Sequence, residues 1–198
     1  MLGAGMDTRC YRFDLSKHRV RGFEVDLPAM SRKKRAALAD AGIVTGNTVY
    51  VELDFGAEPL VDALTRGGVD TSKLTLFVFE GVSMYLPRST VLETLRTVAR
   101  FAPGSSVVFD VLGDESNLLL SITRRFLAAN GEVFWFGCNA ADLVALVQQA
   151  GLHVHALLTP DEIHSSLLTR ADGSLAARTL PYTSVKLVHA VVSVPAVS

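Results

Sequence analysis

Residues 1–12 read Met-Leu-Gly-Ala-Gly-Met-Asp-Thr-Arg-Cys-Tyr-Arg, and the rest of the chain is read outward from them. Gly3 and Gly5, one residue apart and trailed by Asp7 and Thr8, describe a backbone bending tightly from a strand end into a helix. Glycine takes positive φ without steric penalty and has no Cβ, so a ligand can press against the main chain there. Asp and Thr are helix-capping types, and the free N–H groups of a capped first turn point back at whatever occupies the bend. A lone Gly-x-Gly also fits an ordinary tight turn. Its meaning depends on the segments downstream.

From residue 20 onward the chain alternates strand and helix. Val20–Asp26 predicts a strand ending in an acid, and Ala29–Ala41 a helix stopped by Gly42. Thr48–Leu53 predicts a second strand, again with an acid, Asp54, at its end, and Glu58–Arg66 a short helix closed by Gly67 and Gly68. Leu74–Phe79 is an apolar run of the kind found in strands buried on both faces, ending at Glu80-Gly81. Arg88–Phe101 repeats apolar residues at helical spacing behind Pro87, and Ser106–Val111 reads as a strand. A helix is expected near residues 115–129 and another over Asn139–Ala150, capped by Asn139; Leu152–Leu158 and Val185–Val194 complete the strands.

Such alternation predicts an α/β chain, a mostly parallel, doubly wound sheet with helices on both faces. Ligands of these sheets sit beyond the carboxyl ends of the strands, where strand order reverses. The glycine bend, Asp26, Asp54 and Glu80 all fall at such ends, and one site is the economical explanation.

The totals agree with a single domain over residues 1–198. The chain has 198 residues, 49% hydrophobic and 20% charged, enough for a core and too apolar for disorder. A formal net charge of -1 argues against nucleic acid as a partner. The one dense basic run, Arg32-Lys33-Lys34-Arg35, spreads around a helix and reads as a solvated face. Apolar runs fall short of the roughly 18 residues that cross a bilayer, so no membrane is expected. Two isolated cysteines, Cys10 and Cys138, and the lack of a charged segment leading into an apolar one point to a reducing cytoplasm and to no structural metal.

Asp26 lies 21 residues after Gly5, where a carboxylate can accept both hydroxyls of a ribose side by side. A dinucleotide fingerprint would place a third Gly or Ala three residues beyond Gly5, but that position is Thr8, with acidic Asp7 beside it. A carboxylate there suits a sulfonium and ammonium better than a pyrophosphate. S-adenosylmethionine is such a ligand, with a nicotinamide-dependent oxidoreductase as the rival reading.

Leu-Gly-Ala-Gly-Met-Asp-Thr-Arg (2–9), Tyr-Arg (11–12), Phe-Glu-Val-Asp-Leu-Pro (23–28) and Glu-Gly-Val-Ser-Met-Tyr-Leu (80–86) resemble the leucine carboxyl methyltransferase family. The similar branch is the group of S-adenosylmethionine-dependent methyltransferases abundant in mycobacteria and related actinobacteria. The resemblance implies a Rossmann-like class I methyltransferase fold, with an antiparallel C-terminal strand in the sheet. It also implies that Gly3 and Gly5 lie under the methionine half of the cofactor, Asp26 on the ribose, Asp54 and Phe55 beside the adenine, and Glu80 at the methionine ammonium. The expected reaction is O-methylation of a carboxylate or hydroxyl on a small metabolite. No residue is assigned as catalytic; His164 and the aromatics Tyr85, Phe134, Trp135 and Phe136 are the outlying candidates for the acceptor side, which is expected to include the stretch from Asp114 to Gly137.

In that family a largely helical segment and most of the first strand precede Leu-Gly-Ala-Gly. Only Met1 and Leu2 precede Gly3 here, so the reading expects the first strand to be largely missing and the family's N-terminal lid segment to be absent. The reading therefore expects an N-terminally truncated chain of weak activity, or a non-catalytic remnant that folds with a partner or as a homo-oligomer.

Overall fold

The computed structural model describes residues 1–13, 15–113, 133–170, 172–174 and 184–194; the helix expected near 115–129 lies outside them. The described strands are β1 (Phe23–Asp26), β2 (Val49–Glu52), β3 (Leu76–Phe79), β4 (Ser106–Leu112), β5 (His153–Leu158) and β6 (Val185–Val191). The described helices are α1 (Arg9–Arg12), α2 (Pro28–Asp40), α3 (Leu60–Arg66), α4 (Arg88–Val98), α5 (Ala140–Gln149) and α6 (Pro160–Leu167).

β1 pairs parallel with β2, and β3 parallel with β4; β6 runs antiparallel between β4 and β5. The opening residues join the two groups. Leu2 bridges Val25 in parallel, with Val25 N–H donating to the Met1 carbonyl at 2.9 Å and Gly3 N–H to the Val25 carbonyl at 2.8 Å. On its other side Leu2 N–H donates to the Val78 carbonyl at 2.8 Å. The order across the molecule is therefore β2, β1, residues 1–4, β3, β4, β6, β5, which puts the opening stretch in the middle.

The alternation of side chains along β1 and β2 explains the two helical layers. Val25 and Val51 turn toward Leu60, Ala63 and Leu64 of α3, in a core that continues through Phe77, Phe79, Phe109, Val91, Leu95, Leu143 and Leu146. Burying side chains of this size contributes about 1.5–3 kcal/mol each. Glu24 and its register partner Tyr50 turn the opposite way, toward α1 and α2. Local signals set the helix ends: Asn139 accepts from Asp142 N–H at 2.9 Å ahead of α5, and Thr159 with Glu162 forms a capping box ahead of α6.

Three expectations need correction. Leu74 and Leu76 are 75% and 61% exposed, so the apolar run into β3 is covered on one side only. Thr8 stands at the N-cap of α1 but makes no side-chain cap bond; Asp7 accepts from the Arg9 N–H instead. Lys34 is 3% exposed and paired with Glu24, whereas its neighbours Arg32, Lys33 and Arg35 face solvent. A charge run read as one solvated face conceals one inward lysine.

Candidate functional site

The strand ends on which the sequence reading converged are Asp26 at the last residue of β1, Asp54 two residues beyond β2, and Glu80 immediately after β3. The glycine bend lies between the first and the last of these.

Gly3 and Gly5 both adopt positive φ, +68° and +44°. They serve different ends. A Cβ on Gly3 would lie 2.3 Å from Val82 Cγ2, so this glycine lets the bend close against the residue after the Glu80-Gly81 turn. A Cβ on Gly5 would meet nothing within 4 Å. Its main chain fronts open space, and its N–H donates to Asp26 Oδ2 at 2.5 Å. Asp26 Oδ1 accepts from Leu27 N–H at 2.7 Å. Each oxygen therefore holds one backbone donor and keeps lone-pair capacity, since an ionised carboxylate offers about four acceptor sites.

Arg9 was not singled out by the sequence reading, and it connects the bend to β3. Its main-chain N–H and Nε donate to the two Asp7 oxygens at 2.6 and 2.7 Å, and its Nη2 lies 2.5 Å from Glu80 Oε2. The hydrogen bond it donates to Asp7 raises the Arg9 pKa above its ordinary value despite partial burial. Burial pushes the Asp7 carboxyl up, but its bonds from Arg9 outweigh this and hold it below the usual carboxylate range. The cation that meets Asp7 and Glu80 in the structure is thus an internal one.

Behind Glu80, Asp110 of β4 accepts from Gly81 N–H at 2.8 Å, while Ser83 Oγ donates to the Asp110 carbonyl at 2.5 Å. Burial raises the Asp110 carboxyl above its ordinary value, opposed by the Gly81 bond and assisted by the nearby Glu80 charge. Asp110 had no sequence signal: a strand acid looks the same whether it faces solvent or a turn.

Asp54 is exposed, and its Oδ1 accepts from Gly56 N–H at 2.9 Å, forming an Asx turn. Phe55 is half-buried and stacks on Phe79, the last residue of β3, with ring centroids 6.0 Å apart and planes inclined by 29°. That contact links the end of β2 to the strand carrying Glu80.

The outlying candidates separate. Phe136 is core, Tyr85 and Phe134 pack together with centroids 5.2 Å apart, and Trp135 is 68% exposed. Trp135 N–H donates to the Met84 carbonyl, which brings the segment after the undescribed residues beside the Ser83–Tyr85 turn. His164 lies on α6, which comes after the outermost strand β5, at the far side of the sheet from Asp26. His153 and His155 are both exposed on β5, and no cluster of metal-ligating side chains occurs among the described residues. Nor is any described helix long and apolar enough to cross a membrane.

The family model described as leucine carboxyl methyltransferase matches residues 1–99. A Bacillus subtilis protein named "Putative S-adenosyl-L-methionine-dependent methyltransferase YktD" is 30% identical over 200 residues, covering 96% of this chain and 64% of its own. A protein of the same description, without the final symbol, from Mycolicibacterium gilvum is 35% identical over 135 residues, covering 63% of this chain and 44% of its own. The chain thus spans under two-thirds of the length of these relatives. Among solved structures, the mitomycin 7-O-methyltransferase MmcR superposes with a TM-score of 0.60 at 15% identity, covering 97% of this chain and 48% of that one. A chain of the structure titled "Complex between the Haloferax volcanii Trm112 methyltransferase activator and the putative methyltransferase" gives 0.62 at 16% identity, covering 100% of this chain and 82% of that one. These likenesses show a Rossmann-like class I methyltransferase fold.

Proposed function

The chain belongs to the leucine carboxyl methyltransferase family, and from that premise we propose that it is an S-adenosylmethionine-dependent methyltransferase whose cofactor lies across the ends of β1, β2 and β3. The observation that carries this reading is the Gly5–Asp26 contact. A glycine main chain with open space before it is locked to a strand-end carboxylate that retains acceptor capacity.

The residues present fit the group. Asp26 offers its remaining lone pairs to a ribose diol. Phe55, held by Phe79, offers an apolar edge for a purine, and Asp54 stands next to it. Glu80 and Arg9, about a third exposed, present an acid and a base side by side, complementary to the ammonium and carboxylate of an amino acid. When bound, S-adenosylmethionine supplies an electrophilic methyl group. The task left to the protein is alignment of an acceptor in line with it, which can contribute several kcal/mol to a two-reactant step.

The acceptor proposed is a small metabolite methylated on oxygen. A carboxylate acceptor is ionised near neutral pH and needs no base. A hydroxyl acceptor needs one, and Asp110, joined to the Glu80-Gly81 turn, is the carboxyl we assign to take that proton. Thermal shift of the full chain tests the cofactor assignment. S-adenosylmethionine and S-adenosylhomocysteine should raise Tm, since a ligand that binds only the folded state stabilises it. NAD should not, and Asp26→Asn should abolish the response. A shift with NAD, or one that survives Asp26→Asn, would overturn it.

A further inference from the structure

α1 is four residues long, has no buried residue and lacks a side-chain cap bond at Thr8. A single helical turn does not sustain itself, because isolated helices below about 12–15 residues are marginal even in favourable sequences. Yet α1 carries Arg9, the residue that spans Asp7 and Glu80. The one bond from the Arg9 N–H to Asp7 is little support for it, so contacts further along keep it in place.

At one end Arg9 itself is a tether. At the other, Tyr11 Oη donates to Glu24 Oε2 at 2.7 Å and lies 2.8 Å from Tyr50 Oη. Glu24 is 2% exposed and Lys34 Nζ lies 2.8 Å from the same Oε2, 5.4 Å from the Tyr11 ring centroid. Burying an ion pair costs several kcal/mol per ion, and well-packed apolar replacements are often as stable, so the pair by itself is a poor source of stability. Glu24 Oε1 has no hydrogen-bond partner among the described residues, which adds to the cost. Glu24 and Asp26 lie two apart on β1 and so share a face. They hold the same stretch of chain, Asp26 by Gly5 and Glu24 by Tyr11.

We propose that Glu24 is a positioning residue: its buried carboxylate, fixed by Lys34, anchors α1 through Tyr11 and thereby sets Arg9 across the mouth of the cofactor site. The inference rests on the reading of the strand ends as that site. It makes the Tyr-Arg and Phe-Glu-Val-Asp stretches two halves of one device, with Tyr11 as the contact between them.

Removing Glu24 would leave Lys34 buried without its counter-charge and would confuse positioning with folding, so the test is Tyr11→Phe, which keeps the ring and the ion pair. In the ligand-free chain, amide hydrogen exchange over residues 9–12 should speed up while β3 and β4 stay protected. By titration calorimetry, S-adenosylmethionine should bind the variant about tenfold more weakly, the worth of one hydrogen bond to a charged group. Adenosine, which reaches only the Asp26 and Asp54 side, should bind within about twofold of the parent, a difference too small for a lost hydrogen bond. Unchanged exchange over 9–12, unchanged S-adenosylmethionine affinity, or equal weakening of both ligands would overturn the proposal. Failure of the parent chain to bind S-adenosylmethionine would instead sink the cofactor assignment and leave the exchange measurement to decide the anchoring of α1.

Discussion

The two glycines of the bend show how one residue type meets two demands. Gly3 is required twice over, by its left-handed backbone and by Val82 pressing where a Cβ would stand. Gly5 is required by its backbone alone, so Gly5→Ala should cost about 1–2 kcal/mol, the usual penalty for a left-handed non-glycine residue. Gly3→Ala should cost clearly more, and urea denaturation of the two variants measures the difference. Equal losses would mean that Val82 yields without penalty.

Asp110 allows a test with a sign. Its carboxyl titrates above the ordinary 3.8 because burial disfavours the charge. A folded-state pKa raised in this way means that ionisation destabilises the fold. Stability from this group is therefore present below the unfolded value near 3.8 and lost as pH rises through the folded one. Asp110→Asn keeps an oxygen for the Gly81 N–H and removes the charge. It should raise Tm at pH 7 and do little at pH 3.5. A loss at pH 7 would show that the bond to Gly81 needs a charged acceptor.

At the scale of elements, much was legible because the local signals act within one segment. Asn139 ahead of an apolar 3.6-residue period marked α5 and its cap, and Asp26, Asp54 and Glu80 marked strand ends because acids are unfavourable inside a buried strand. Replacing Asn139 by Ala should lower stability by about 0.5–2 kcal/mol through the lost bond to Asp142 N–H. Thermal melting checks it. The part that local signals left out is tertiary. The Arg9–Glu80 pair joins residues 71 apart, and nothing in Asp-Thr-Arg marks its third residue as the bridge. Lys34 looked like its three basic neighbours, although only it points at Glu24. Lys34→Met should destabilise by about 3–5 kcal/mol by leaving the Glu24 carboxylate buried and uncompensated, whereas exposed Lys33→Met should be close to neutral.

Across the whole molecule, the alternating order of elements was enough to predict a doubly wound, mostly parallel α/β sheet, while the antiparallel last strand, β6 between β4 and β5, was expected only from the family resemblance. The exposure of Leu74 and Leu76 was not legible, since an apolar run says that a strand avoids water without saying which side is covered. Residues 1–4 hold the centre with a handful of backbone bonds, while the strands on either side carry the acids. The fold thus brings its charged tips together around a bend only a few residues into the chain.

Amide chemical-shift mapping of the full chain titrated with S-adenosylhomocysteine would locate the ligand residue by residue. Perturbations should concentrate at Gly3–Arg9, Asp26, Asp54–Phe55 and Glu80–Gly81, and leave the opposite ends of β1 and β2, around Arg21 and Thr48, untouched. No perturbation, or a set centred on Arg21 and Thr48, would contradict the assignment.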